Sequence, residues 1–235
     1  MIDLDGKVVV VTGASGSLGR TTAQVFANAN ASLLLTGRNK ERLEQTAEHL
    51  TTDTMVIPCD LSDINEVERL VNKTVKHYGR IDVLLNVAGG FSMGPKVHEL
   101  NWEDFDTMFN INFISAFNTC SRVIPQMIKQ GVGNIVNVSA RAGIQGKARM
   151  APYCISKSSV ITLTESLADE HKLSDININC VLPGTIDTDT NRTDMPNADH
   201  STWVPPEDIA NTMLFLSSPL SRSISGAVIS VYGKS

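Results

Sequence analysis

The chain has 235 residues, 42% of them hydrophobic and 19% charged, with a formal net charge of −5. That length supports one substantial core, and the mild acidity argues against a general nucleic-acid or membrane-surface role. The opening stretch MIDLDGKVVVVTG places acids where a secretory signal carries positive charge, and its apolar run is too short to span a bilayer, so a cytoplasmic protein is expected.

In chain order, KVVVVT (7–12) reads as a strand and is followed by Gly13, Gly16 and Gly19. A helix pattern of Leu18, Thr22, Val25, Phe26 and Ala29 comes next. Strand, glycine turn and helix N-terminus together suit a pyrophosphate, because the turn allows close backbone approach and the helix end offers N–H groups with positive dipole. A second strand, SLLLT (32–36), ends in Gly37 and Arg38, with no acid before Glu41. An acid there would accept from a ribose 2′-hydroxyl and repel a 2′-phosphate, so its absence favours NADP over NAD. Arg38 is the first candidate partner of that phosphate and Arg20 the second, the plain alternative being a solvated arginine at a helix start.

TMVIPC (54–59) is the third strand, followed by a helix pattern of Ile64, Val67, Leu70, Val71 and Val75. DVLLNV (82–87), NIVNVS (134–139), ININCVL (176–182) and AVISVY (227–232) complete seven strands. Several runs are continuously apolar, as in strands covered on both faces. Strand–helix alternation without repeats or linkers predicts a single domain over 1–235, a Rossmann-like doubly wound parallel α/β sheet with helices on both faces. The polar stretch 184–206 is either a solvated loop or a lid over the carboxyl ends of the strands, and the lid is favoured because structureless loops of that length are uncommon.

Tyr153 and Lys157, separated by three residues, share one face of a helix. A free phenol titrates near ~10 and is a poor acid or base at neutral pH unless a cation stabilises its phenolate. On spacing alone, two surface residues of an amphipathic helix are the better reading. Cys59, Cys120, Cys154 and Cys180 are dispersed, which suits reduced thiols. The histidines are scattered too, and no metal site is expected.

Taken together these segments resemble the short-chain dehydrogenase/reductase family in its compact single-domain form, over essentially the whole chain. TGASGSLG (12–19) resembles its glycine loop, CDLSD (59–63) its adenine-contacting segment and NVAG (86–89) its N-N-A-G motif. NINFISAF (110–117) resembles the helix carrying the active-site asparagine, and Tyr153 and Lys157 match Y-x-x-x-K. PGTIDT (183–188) resembles the segment that holds the nicotinamide carboxamide, and ISGAVISVYGK the closing strand.

The resemblance implies hydride transfer between a nicotinamide cofactor and a carbonyl or alcohol substrate. Tyr153 would be proton donor or acceptor, Lys157 would lower its pKa and hold the ribose, and Asn112 would position a water. It also implies cofactor contacts from Gly13, Ser15, Ser17, Leu18, Gly19, Asp60, Leu61, Asn86, Ala88 and Gly89. Tyr153, Lys157, Pro183, Gly184, Ile186 and Thr188 would join them, with Arg38 at the 2′-phosphate. A homodimer or homotetramer built through the Asn112 and Tyr153 helices is implied as well.

Three departures stand out. The glycine loop is spaced G-x-x-G-x-x-G, with Ser17 at the usual second-glycine position, and Val87 replaces the second asparagine of N-N-A-G. Most consequential, SARAG (139–143) puts Ala140 where the family carries the serine that holds the substrate carbonyl. Ser139 could act instead if a bulge turned it. The plainer reading has it satisfy the backbone, leaving Gln145, Lys147, Arg149 or a water as donor. A slower enzyme is one expectation, and a cofactor-binding sensor or scaffold without catalysis is the alternative. Phe91, Met93, Ile144, Met150 and Trp203 are candidates for an apolar substrate pocket.

Overall fold

The computed structural model describes residues 2–234. Each of the seven expected runs forms a strand whose ends lie within one residue of the predicted ones: β1 (Val8–Thr12), β2 (Ser32–Gly37), β3 (Thr54–Pro58), β4 (Val83–Asn86), β5 (Gly133–Val138), β6 (Ile176–Pro183) and β7 (Val228–Val231). All pairings are parallel, in the order β3-β2-β1-β4-β5-β6-β7.

The connecting helices are α1 (Ser17–Asn28), α2 (Lys40–Ala47), α3 (Ile64–Tyr78), α4 (Trp102–Phe109), α5 (Ser115–Gln130), α6 (Ala151–Glu170), α7 (Asp189–Asp194) and α8 (Pro206–Leu216). Side chains alternate across each strand, so Val9 and Val11 pack with α1 and α8, whereas Val10 packs with α3 and α5. Leu33 and Leu35 against Leu34, and Val83 and Leu85 against Leu84, repeat the division. Two apolar layers, one on each sheet face, therefore explain the continuous apolar runs.

Because β1 pairs with both β2 and β4, the chain reverses its direction of winding there, and the crevice lies at the carboxyl ends of those strands. Residues 184–206 come after β6 at this edge. They hold α7, a single 3₁₀ turn (His200–Thr202) and a parallel bridge between Ile186 and Val204, so the stretch is more ordered than its composition suggests. Among the described residues no helix is long and apolar enough to cross a membrane.

Candidate active site

At the β1–α1 turn Gly13 adopts φ 62°, and a Cβ on it would lie 2.7 Å from the Ala88 Cα. A Cβ on Gly19 would lie 2.2 Å from the Gly13 carbonyl oxygen. Two predicted cofactor residues are thus glycine because backbone packs on backbone. Thr12 ties the same corner together, its Oγ1 donating to the Leu85 carbonyl at 3.2 Å and accepting from the Ala88 N–H at 3.0 Å.

The α1 N-terminus differs from its neighbours. Asn39 and Asp63 cap α2 and α3 with their side chains, but Gly16 caps α1 with none, and the first turn holds no acid. The first N–H groups of α1 therefore have no side-chain cap, the arrangement that suits an anion at a helix N-terminus. Ser15 and Gly37 lie next to each other, a Cβ on Gly37 being 3.7 Å from Ser15 Oγ.

Arg38 stands at this corner beside a residue that sequence reasoning missed, Arg42, whose Nη2 donates to the Ser15 carbonyl at 3.4 Å. Neither arginine forms an ion pair among the described residues. Nothing local in the sequence marked it, because Arg38 precedes the Asn39 cap of α2 and the two arginines do not share a helix face. Asp60 completes the rim, its carboxyl held below the usual range by hydrogen bonds from the Ser62 hydroxyl and N–H.

Other predicted residues have their side chains or backbone engaged within the fold. Leu61 packs in the core and its carbonyl accepts from Asn118. Asn86 is buried, donating to Asn137 at 2.9 Å and accepting from Thr119 at 2.7 Å, so its amide belongs to a network between sheet and helices. Pro183 closes β6, Gly184 donates to the Val231 carbonyl, Ile186 bridges to Val204, and the Thr188 hydroxyl caps α7.

Two of the catalytic candidates, Asn112 and Lys157, converge on Gly89. A Cβ there would lie 2.7 Å from Asn112 Oδ1 and 3.0 Å from Lys157 Nζ. Asn112 sits in a π-helical turn (Asn110–Ile114) between α4 and α5. Such a turn adds a residue and re-aims the helix beyond it, a device common at functional sites. Asn112 is buried, exchanges two hydrogen bonds with the Gly90 backbone (both 3.0 Å) and donates to Ser156 Oγ at 3.2 Å. Ser156, also missed, donates onward to the Tyr153 carbonyl at 2.9 Å and so couples the asparagine to the tyrosine helix. It lies three residues after Tyr153, on the same helix face.

Lys157 is 5% exposed and donates from Nζ to the Val138 carbonyl at 3.0 Å. Burial pushes its pKa down to about 8. Tyr153 is half-buried, and desolvation pushes its phenol up to about 12. At neutral pH both groups therefore keep their protons. The protein's own atoms do not pair the ammonium with the phenol, so Lys157 alone does not acidify Tyr153.

Ser139 does not turn toward the crevice. Its hydroxyl donates to the Lys157 carbonyl at 2.7 Å, and a Cβ on Gly143 would come within 2.7 Å of that oxygen, so the hydroxyl satisfies backbone in a packed corner. Ala140 is extended (φ −161°, ψ 161°) and carries no donor. Arg149 spends Nε on the Gly94 carbonyl at 3.1 Å, and the Arg141 guanidinium lies over the Tyr232 ring. Of the pocket candidates, Phe91, Met93 and Ile144 are exposed, whereas Trp203 is buried and belongs to the packing.

The fold is that of a Rossmann-like α/β oxidoreductase, with Tyr153, Lys157 and Asn112 as candidates for its centre. The sequence profile described as short chain dehydrogenase matches residues 7–199, and the chain belongs to that family. It is 34% identical to the 3-oxoacyl-[acyl-carrier-protein] reductase FabG of Thermotoga maritima, covering 98% of each chain. Against FabG of Rickettsia conorii it is 32% identical, covering 99% of this chain and 98% of the other. A solved structure from Burkholderia xenovorans, 31% identical, superposes with a TM-score of 0.92 and covers 98% and 96% of the two chains.

Proposed function

We propose that this protein is an NADP(H)-dependent carbonyl reductase or alcohol dehydrogenase acting in the cytoplasm. The observation that carries the reading is the convergence of Asn112, Lys157 and the Tyr153 helix on Gly89, beside a helix N-terminus that no side chain caps. NADPH, when bound, supplies the hydride. The β1–α1 turn would hold its pyrophosphate, and Lys157 its ribose hydroxyls. Tyr153, protonated at neutral pH, would give its phenolic proton to the alkoxide that develops on the substrate. Asn112 would hold a water on the route that returns the proton. Without a serine at 140, the phenol carries the oxygen's negative charge with less help, which in other enzymes costs on the order of 3–4 kcal/mol.

NADP is preferred because Arg38 and Arg42 present two guanidinium groups, free of ion pairs among the described residues, at the end of β2. Arg38→Ala and Arg42→Ala are each expected to weaken NADPH binding about tenfold or more while leaving NADH unchanged. Fluorescence titration of the two cofactors checks this, and equal losses for both would contradict it.

Incubation with NADPH and a panel of ketones, aldehydes and 3-oxoacyl thioesters, the last prompted by the FabG relatives, tests the reaction itself. At least one member should consume the cofactor. A second reading, a cofactor-binding sensor or scaffold, is favoured by Ala140 and by the committed hydroxyl of Ser139. Tight NADPH binding with no turnover, and none gained in Ala140→Ser, would select it.

A homo-oligomer is part of the proposal. Trp102, Phe105, Phe109, Phe113 and Phe117 run as a ladder of ring contacts along α4 and α5, and Trp102 is 77% exposed, a face suited to a second copy.

A further inference from the structure

The loop after β4 is fastened across the site by one residue. The Gly94 N–H donates to the Arg149 carbonyl at 2.9 Å, and Arg149 Nε donates back to the Gly94 carbonyl at 3.1 Å. Arg149 does this from φ 63°, a left-handed conformation that only one other non-glycine residue among those described adopts, Asn30. Such a conformation is unfavourable for a long side chain and persists where surrounding bonds over-determine it. It lies two residues before α6, four residues from Tyr153.

The fastened loop carries Phe91, whose ring meets the Tyr153 ring edge-on (89°) with centroids 5.0 Å apart. Phe91 nonetheless remains 58% exposed, and Met93 on the same loop and Ile144 on the loop after β5 are 61% and 60% exposed. Phe91, open beside the proposed proton donor, and two more exposed apolar side chains on the loops that flank it offer a surface that gains by being covered. The neighbouring Ala140 adds no polar atom from its side chain.

We propose that Arg149 is a positioning residue that holds Phe91 against Tyr153, and that the wall so formed selects carbonyl substrates carrying a bulky apolar, preferably aromatic, substituent. The inference rests on the carbonyl reductase reading for its chemistry but not for its recognition surface. The ring of the substrate lies against Phe91 and the loop side chains, which brings its carbonyl oxygen under the Tyr153 hydroxyl. Phe91 sets the preference by contact. Arg149 sets it by keeping the loop in place.

Steady-state kinetics on acetophenone and acetone, with wild type, Phe91→Ala and Arg149→Ala, test the proposal. An apolar contact of this kind is worth roughly tenfold or more in discrimination. Wild type should favour acetophenone, and both variants should raise its KM by about that factor, with little change for acetone or for NADPH binding. Thermal midpoints separate this from general unfolding, because a merely structural role would change both ketones together. Wild type preferring acetone, or Phe91→Ala leaving the preference intact, would overturn the proposal. An unchanged Arg149→Ala would remove its positioning role. If neither ketone is reduced, the reductase reading fails for both, and acetophenone binding to the NADPH-loaded protein, followed by nicotinamide fluorescence, still reads the wall. Weaker binding in Phe91→Ala then supports it, and equal or absent binding overturns it.

Discussion

Tyr153→Phe is expected to lower kcat by about a thousandfold while leaving the fold and cofactor affinity nearly unchanged. Among the described residues the Tyr153 hydroxyl makes no hydrogen bond, so its removal leaves no protein partner unsatisfied. Phenylalanine also keeps the edge-on contact with Phe91. The rate falls because the alkoxide that forms on hydride arrival then has no proton donor. Desolvation pushes the phenol up to about 12, so wild type presents the protonated form across the neutral range. Stopped-flow measurement of NADPH oxidation, together with cofactor titration and thermal melting, checks all three parts. A variant retaining a tenth or more of wild-type kcat would place the proton donor elsewhere.

Lys157→Met should lose activity and gain stability. The ammonium is buried with the Val138 carbonyl as its protein partner, and its pKa falls from 10.5 to about 8. Between those values the unfolded chain binds more protons than the folded one, so stability rises with pH. Below about 8 both states are protonated, and the whole cost, on the order of 3 kcal/mol, is present. Methionine removes the charge but leaves the Val138 carbonyl without its donor, which returns about 1–2 kcal/mol. A net gain of roughly 1–2 kcal/mol at pH 7 is expected, shrinking by about 1 kcal/mol between pH 8 and 9 as wild type sheds its proton. The buried thiols of Cys59 and Cys120, raised to about 12, belong to both proteins and are compared out by difference. The Cys180 thiol feels the Lys157 charge but, raised to about 12 by burial, stays protonated across this range with or without it. Urea titrations from pH 6 to 9 measure this. A less stable variant at pH 7 would mean that the lysine is structural rather than held for chemistry.

Much of the fold was legible because both sheet faces are covered. Val8–Val11 and Leu33–Leu35 are apolar without alternation, the pattern of a strand sandwiched by helices, and their shortness argues against a buried helix. The glycine turn was legible for a related reason, since Gly13 and Gly19 stand where a Cβ would strike backbone. The site was less so. Period and spacing put Tyr153 and Lys157 on one face, but no local pattern could show that Ser156 joins Asn112 to that helix across 44 residues. Nor could it show Arg42 reaching Ser15 or Arg149 fastening Gly94, because both are long-range contacts of exposed side chains. The same limit hid the backbone-directed hydroxyl of Ser139. A residue's neighbours in space decide whether its polar atoms are spent or available, and sequence periodicity carries only the neighbours along the chain.

The central claim is that Tyr153, Lys157 and Asn112 support reduction of a carbonyl even though position 140 offers no side-chain donor. Its most direct test supplies NADPH deuterated at the transferable position of the nicotinamide ring, together with the carbonyl panel, and reads the alcohols by mass spectrometry. One deuterium on the former carbonyl carbon of at least one product, absent in Tyr153→Phe over the same interval, is the expected result. Saturated NADPH binding with no deuterium in any product would contradict the claim.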